Sequence, residues 1–149
     1  RDEFATSVDL TSNAWAYHGL ACLYLKSDPE KAKQFIMEGM ALQRERLSYQ
    51  KEGFKILEKC GAYKEIDEEY KKQTAENQKN GRIQYYYVAA LEKLERNEEA
   101  YHLLNDGDGI DVSDIREGDS DIQSIWESLH EKVYGEKGHL PHYYNFKVN

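Results

Sequence analysis

Proline and long apolar runs are both scarce in this sequence. Its 149 residues include only 2 prolines and 10 glycines, the two residue types that most weaken a helix interior. No stretch approaches the ~18 consecutive apolar residues that a membrane-spanning helix needs, and no signal-peptide pattern opens the chain. The sequence therefore predicts long helices with short connections and no membrane segment. Because Arg1 rather than methionine comes first, we expect the chain to belong to a longer polypeptide.

Cysteine is nearly absent as well. Cys22 and Cys60 are the two cysteines of the chain, and they do not form a Cys-x-x-Cys pair. Small secreted domains depend instead on several paired cysteines. We therefore predict that both residues are small, mostly buried free thiols, and that the protein is cytoplasmic.

Positive charge is outnumbered. The chain has 20 Lys and Arg residues against 28 Asp and Glu residues, which gives a formal net charge of −8. A general nucleic-acid binder needs a basic surface to neutralise phosphates, so the charge excludes that class. Hydrophobic residues make up 40% and charged residues 32% of the chain, as is typical of a folded, soluble domain.

Catalytic motifs are absent. The chain contains no G-x-S-x-G elbow, no glycine-rich phosphate loop and no H-E-x-x-H. Four acidic residues cluster at Glu65, Asp67, Glu68 and Glu69, but such a run is typical of a solvated helix face. Nothing selects two carboxylates that would face each other across a cleft. We predict that the chain is not an enzyme and has no cofactor.

Two stretches resemble metal sites without completing them. Asp106, Asp108 and Glu117 match positions 1, 3 and 12 of a calcium-binding loop, but Asp111 stands where that loop requires glycine. The H-L-P-H stretch at 139–142 contains a proline that interrupts helical geometry, and no cysteine lies near it. We therefore predict no metal site.

Helical periodicity runs through most of the first 105 residues. Asp28, Pro29 and Glu30 indicate a helix start, because aspartate caps, proline fits the first helical position and glutamate favours the positive end of the helix dipole. Gly61 indicates a helix end. Apolar residues at spacings of three and four predict buried faces, among them Ala32, Phe35, Ile36, Gly39 and Met40 in one helix, and Ile122, Ile125, Trp126, Leu129 and Val133 in another.

One interval recurs. Ala32, Ile66 and Ala100 follow each other at 34 residues, as do Leu57 and Leu91. A helix–turn–helix period of this length is typical of tetratricopeptide repeats. The stretches 20–24 with 29–32, 61–66 and 94–100 resemble that family's L-G-x-x-Y, G-x-Y-x-E-A and L-G-R-x-E-E-A motifs, with Ile in place of Ala at 66 and Glu in place of Gly at 95.

The resemblance implies an all-α fold, in which three repeats stack into a right-handed superhelix. The repeats would span about 12–46, 47–80 and 81–105 within a region 1–105. Residues 106–149 would add an acidic loop, a capping helix from near Ser120 to Gly135 and an aromatic tail to the same domain. We expect the tail to dock on the helices through Leu140, Tyr143, Tyr144 and Phe146.

A looser resemblance concerns the C-terminal region. The stretch DIREGDSDIQSIW at 114–126 and the terminal NFKV at 145–148 are similar to the closing segment of large bacterial proteins. Those proteins combine a carbohydrate-enzyme-like N-terminal part with C-terminal tetratricopeptide repeats. The resemblance implies that any catalytic domain lies upstream.

The family's peptide-binding groove can be carried over residue by residue. It implies a concave surface lined by Trp15, His18, Lys51, Lys55, Lys59, Arg82, Tyr85 and Lys93. The three lysines recur every four residues and form a basic strip suited to an acidic peptide or a terminal carboxylate, although a solvated helix carries such lysines equally well. The Lys/Asn/Arg clamp of chaperone-binding members is missing, since those positions hold His18, Cys22, Tyr85 and Ala89.

The tyrosine triplet falls on one of the predicted groove helices. Successive residues of a helix point about 100° apart. We therefore expect Tyr87 to face the core, Tyr85 the groove, and Tyr86 a neighbouring helix or the solvent.

The predicted function is interaction rather than catalysis. We expect a scaffolding module that binds a protein, a peptide or an adjacent domain of the same chain, with homo-oligomerisation open. The alternative is an accessory C-terminal region of a multidomain carbohydrate-active enzyme that supports its catalytic domain or its oligomerisation.

Overall fold

The computed structural model describes residues 7–106, 109–110, 122–136 and 138, with side chains described from residue 12 onward. Within these ranges the regular structure is entirely helical, which confirms the predicted all-α class. The helices are α1 (Ser7–Tyr24), α2 (Pro29–Leu42), α3 (Leu47–Lys59), α4 (Tyr63–Lys71), α5 (Ala75–Gln78), α6 (Gly81–Lys93), α7 (Asn97–Asn105) and α8 (Ile122–Tyr134).

The chain divides into two compact units, Arg1–Ile66 and Asp67–Asn149. The division falls inside α4, so the second predicted repeat, at 47–80, contributes to both units. The sequence predicted one domain with repeat boundaries at 46 and 80, and that organisation stays a prediction.

Helix α2 begins where the sequence predicted. The Asp28 side chain caps it by accepting a hydrogen bond of 3.2 Å from the backbone amide of Lys31, and Pro29 takes the first helical position. Its buried face consists of Ala32, Ile36, Gly39 and Met40. Phe35, also predicted on that stripe, is half-buried and lies beside the rings of Tyr17 and Tyr24.

In the first unit, α1, α2 and α3 pack against one another. Two glycines allow a close approach between α2 and α3. A Cβ on Gly39 would lie 1.8 Å from Oη of Tyr49, and a Cβ on Gly53 would lie 2.4 Å from Sδ of Met40. Because a Cβ at either point would displace the Tyr49 ring or the Met40 side chain, each glycine leaves room for a side chain of the other helix.

Buried Gln50 completes the end of α2. Its side-chain amide donates to the carbonyl of Met40 at 3.0 Å and to the carbonyl of Gln43 at 2.7 Å. The last carbonyls of a helix have no partner within the helix, so Gln50 satisfies acceptors that would otherwise be buried without a hydrogen bond. Farther along, Lys33 of α2 pairs with Glu65 of α4 at 3.1 Å.

The second unit is built around α6, α7 and α8. Helix α7 packs against both α6 and α8, and the shared core contains Tyr87, Val88, Leu91, Ala100, Leu104, Ile110, Ile122, Ile125, Trp126 and Leu129. Polar contacts join the same helices: Trp126 Nε1 donates to Oδ1 of Asn105 at 3.0 Å, and Ser128 Oγ donates to Glu92 at 2.6 Å.

Helix α8 carries the predicted apolar stripe, with Val133 half-buried at its end. Gly135 follows with a φ of 78°, as the predicted helix end requires. The predicted start near Ser120 and the predicted docking of the tail lie outside the described residues.

The short helix α5 was not predicted. Its first turn is capped by Thr74, whose side chain accepts from the amide of Asn77 at 3.0 Å. Tyr70 and Gln78 then exchange hydrogen bonds, from Oη of Tyr70 to the carbonyl of Gln78 at 3.1 Å and from Nε2 of Gln78 to the carbonyl of Tyr70 at 2.9 Å. These contacts hold the connection between α4 and α6 in a fixed course.

Of the tyrosine triplet, Tyr87 lies in the core as predicted, stacked on Tyr70 with ring centroids 3.8 Å apart. Tyr86 is 7% exposed, so the solvent-facing alternative was wrong. Tyr85 is half-buried.

We predict that Gly39→Ala destabilises the protein by about 1–3 kcal/mol, because the new methyl group overlaps the buried Tyr49 ring and forces it to move. The measurement is the free energy of unfolding from urea denaturation. The control is Glu38→Ala at the preceding, exposed position, which should change that free energy by less than about 0.5 kcal/mol. Equal effects of the two substitutions would contradict the close approach of α2 and α3.

A second prediction concerns Glu95, the one non-glycine residue with a positive φ, 62°, among the described residues. It lies 34 residues after Gly61, whose φ is 69°. A side chain in this left-handed region costs about 1–2 kcal/mol, so Glu95→Gly should stabilise the protein by about 1 kcal/mol.

The same denaturation experiment should show the opposite sign for Glu98→Gly in the first turn of α7, because glycine in a helix costs about 1 kcal/mol. A loss of stability in both variants would rule out strain at Glu95.

Candidate functional site

The predicted groove residues of the first unit lie on two adjacent helices. Trp15 and His18 belong to α1, while Lys51, Lys55 and Lys59 belong to α3. We call the surface formed by these five residues the α1–α3 face.

Residues 34 positions apart bring α1 and α3 together. The rings of Trp15 and Tyr49 meet edge to face with centroids 4.8 Å apart. Nε2 of His18 lies 3.3 Å from Oε1 of Glu52. The Tyr49 hydroxyl also donates to the carbonyl of Ala14. These contacts place Trp15 and His18 directly beside the helix that carries the lysines.

The lysines differ in exposure. Lys55 and Lys59 are exposed, and Lys51 is half-buried. Side chains four residues apart lie on the same helix face, so the two exposed ammonium groups are neighbours. Within the described part of the chain, no carboxylate pairs with Lys55 or Lys59. The structure therefore presents a locally basic surface on a protein of net charge −8.

Trp15 supplies an apolar element to the same face. Its side chain remains 40% exposed, although its ring contacts both Tyr49 and His18, the latter with centroids 5.1 Å apart. A tryptophan fixed by two neighbouring rings offers apolar contact area at little cost in side-chain entropy.

Sequence reasoning missed Glu52, which places a carboxylate on this face. The 34-residue interval from His18 was the signal that could have found it. Because Glu52 engages His18, the acidic group is turned toward α1, one helical turn before Lys55.

The predicted groove residues of the second unit lie along α6. Arg82 and Tyr85 are half-buried near its start, and Lys93 is exposed in its last turn. Arg82 and Lys93 stand eleven residues apart, which is about 16 Å along a helix. They therefore do not form a compact site, and Tyr85 packs against the core of its unit.

The acidic run on α4 is not a solvated face, so that prediction was wrong. Asp67 is 8% exposed and Glu69 1% exposed, and only Glu68 of the four residues is exposed. Burial of Asp67 is possible because Arg96 donates to its Oδ2 at 2.8 Å. The charges next to Asp67 in the sequence do not indicate this partner, because Arg96 lies 29 residues away.

Arg96 organises an ion cluster at the start of α7. Besides Asp67, it binds Glu99 through two hydrogen bonds of 2.8 and 2.9 Å. The hydrogen bonds from Arg96 lower the pKa of Glu99, and those to Glu99 and Asp67 raise the pKa of Arg96. Burial, and then the charge of Asp67, raises the pKa of Tyr87 to about 12. Glu99 and Arg96 thus stay charged and Tyr87 neutral at pH 7, which suits a structural role.

Both cysteines were predicted to be mostly buried, and one of them is not. Cys22 is exposed, whereas Cys60 is half-buried, and burial raises the pKa of Cys60. Cys22 was expected to be buried but is exposed, with its Sγ 3.9 Å from Nδ1 of His18. Among the described residues, no group of three or more His, Cys, Asp or Glu side chains is arranged to hold a metal ion. Of the calcium-like residues, Asp106 is exposed, and Asp108 and Glu117 lie outside the described residues.

None of the described helices combines the length and the apolar character needed to cross a membrane. In comparisons with protein-family models, with curated proteins and with solved structures, nothing matched the chain. The resemblance to tetratricopeptide repeats therefore stays a prediction.

We predict that Asp67→Ala destabilises the protein by about 1–3 kcal/mol, since it removes the charge-assisted hydrogen bond from Arg96 in a largely buried position. Glu99→Ala is the matched control, because the Glu99 side chain is 57% exposed and an exposed ion pair contributes about 0–1 kcal/mol. Urea denaturation of both variants gives the comparison. A larger loss in the Glu99 variant would contradict the expectation that the buried ion pair contributes more to stability than the exposed one.

Proposed function

We propose that this chain is a protein-interaction module with a tetratricopeptide-like arrangement, and that its α1–α3 face binds an acidic peptide or the acidic surface of a neighbouring domain. The observation that carries the proposal is the 34-residue register between α1 and α3, in which Trp15 contacts Tyr49 and His18 contacts Glu52. This register sets exposed Trp15 against α3, the helix that also carries exposed Lys55 and Lys59.

Three further features support the tetratricopeptide-like arrangement. The helices of the first unit pack with glycine contacts between consecutive helices. The left-handed residues Gly61 and Glu95 recur at the same interval of 34 residues and each follows the first helix of a predicted pair. Ala32, Ile66 and Ala100, predicted as close-contact positions, are all fully buried.

Electrostatics supports an acidic ligand. Long-range repulsion from a protein of net charge −8 disfavours acidic partners everywhere except where positive charge is concentrated. Lys55 and Lys59 provide such a place. An acidic ligand would gain specificity from these charges and affinity from the tryptophan. Lysine acts here as a flexible point charge, so one acidic residue can be exchanged for another without loss of binding.

The alternative, an accessory region of a carbohydrate-active enzyme, rests on the sequence of the C-terminal segment alone. It predicts an enzyme-like domain upstream in the same open reading frame. Under that alternative, the partner of the α1–α3 face would be that domain, and the binding chemistry proposed for the face would be the same.

We expect Lys55→Glu to weaken binding of an acidic peptide about tenfold, because reversing one close charge changes the interaction by about 1–2 kcal/mol. The probe is a fluorescein-labelled decapeptide of alternating Glu and Leu, titrated with the protein and followed by fluorescence anisotropy. The same peptide with Gln in place of Glu should bind more weakly, and raising the salt concentration should weaken binding of the acidic peptide.

Lys64→Glu is the charge-matched control. Lys64 is exposed near the start of α4, outside the α1–α3 face, and its reversal changes the net charge by the same amount. Equal loss of binding in the two variants would show that the net charge, rather than the position of Lys55, determines the affinity. An unchanged affinity of the Lys55 variant would overturn the proposed site.

A further inference from the structure

Helix α1 exposes apolar and small residues on one side. Leu23 is 70% exposed and Leu20 37% exposed. Ala16 and Gly19 are exposed beside them, and a Cβ placed on Gly19 would meet no atom within 4 Å. The spacing of three and four places these four residues on one helix face. We call this surface the α1 outer face; it is distinct from the α1–α3 face.

The corresponding positions of α3 are buried. Thirty-four residues after the α1 outer face come Gln50, Gly53, Phe54 and Leu57, and all four are buried. Gln50 and Gly53 contact α2 directly, through the carbonyl and the side chain of Met40 respectively. These positions are therefore buried in α3, whereas the matching positions of α1 are exposed.

In the second unit, helix α8 covers the last helix pair, α6 and α7. Helix α8 packs on α7 and α6, with a buried side that includes Trp126 and Leu129. Its other side is mostly polar, since Gln123, Ser124, Glu131 and Lys132 are exposed, and Tyr134 at the end of the helix is 59% exposed. An amphipathic helix of this kind serves as a cap on a stack of helix pairs. Because α8 occupies this surface of the second unit, the surface is not open to a second copy.

The α1 outer face is complementary to itself. If two α1 helices cross antiparallel with their centre between Gly19 and Leu20, Leu23 of each copy lies opposite Ala16 of the other. Leu20 of each copy then lies opposite Gly19. Each large side chain therefore meets a small one, which is the reciprocal pairing that a two-fold interface requires.

Charge does not oppose this contact. From Leu10 to Leu25 the chain contains no Asp, Glu, Lys or Arg, and His18 in this stretch is engaged with Glu52. The molecule as a whole is acidic, but the contact would bring no like charges together. The neutral stretch covers the length of the exposed face.

We propose that the α1 outer face joins two copies of this chain, through antiparallel pairing of α1 with α1. The contact involves a single helix face, smaller than a standard stable interface of about 800 Å² per partner. The expected dimer therefore dissociates in the micromolar range and is best detected by a concentration series.

Sedimentation equilibrium of the wild-type chain at about 1–200 µM, a range chosen around a micromolar dissociation constant, should show mass rising from the 17.4 kDa monomer to twice that value. Leu23→Glu and Ala16→Lys should each remain monomeric, since each sets a charge against an apolar or small partner. Circular dichroism of both variants checks that these exposed substitutions leave the fold intact.

An equimolar mixture of the two variants tests the register. In the mixed dimer, the new lysine at 16 faces the new glutamate at 23, while the second contact keeps the wild-type Leu23 and Ala16. Association should therefore return in the mixture. Lys55→Glu is the control and should dimerise like the wild type, because it alters only the proposed peptide-binding face.

The outcomes separate the proposals. A wild-type chain that stays monomeric overturns the dimer and leaves the α1 outer face to a different helix, such as one supplied by a longer polypeptide. A Leu23→Glu variant that still dimerises shows that another surface associates. A mixture that fails to associate overturns the antiparallel register. Peptide binding by the monomeric Leu23→Glu variant would show that the two faces act independently.

Discussion

The contact between Gly39 and Tyr49 is the constraint on which the first unit depends. Gly39 leaves room for the tyrosine ring where any side chain would overlap it. Once seated there, Tyr49 reaches α1 twice, through its ring against Trp15 and through its hydroxyl on the carbonyl of Ala14. One residue thus fixes α3 relative to both α1 and α2, and the register of α1 on α3 follows from it.

That register has opposite consequences on two sides of α1. Toward α3, it sets Trp15 and His18 beside a helix whose exposed side carries Lys55 and Lys59, and so creates a mixed basic and aromatic surface. Away from α3, it leaves Leu20 and Leu23 uncovered. The first arrangement suits an acidic ligand and the second an apolar helix. A small helical unit in this way presents two chemically different surfaces.

Local signals in the sequence were sufficient for much of the fold. Asp28 and Pro29 marked the start of α2, because capping depends only on neighbouring residues. The predicted apolar stripe of α8 likewise required nothing beyond helical spacing. The errors concerned contacts across the chain. Asp67 is buried because distant Arg96 pairs with it, and the residues next to Asp67 in the sequence do not encode that partner. The exposure of Cys22 was likewise not apparent from the residues around it.

The candidate site was predicted in part for the same reason. The spacing of the lysines indicated a shared face, but the engagement of Glu52 with His18 appears only when α1 and α3 are side by side. The exposure of Trp15, which gives the face its apolar element, depends on how much of the ring Tyr49 covers. The most direct measurement uses the two tryptophans of the chain. In ¹H–¹⁵N spectra, addition of the acidic Glu–Leu peptide should shift the indole signal of exposed Trp15, whereas that of Trp126, buried and bonded to Asn105, should stay in place. A shift of the Trp126 signal with Trp15 unchanged would contradict binding at the α1–α3 face.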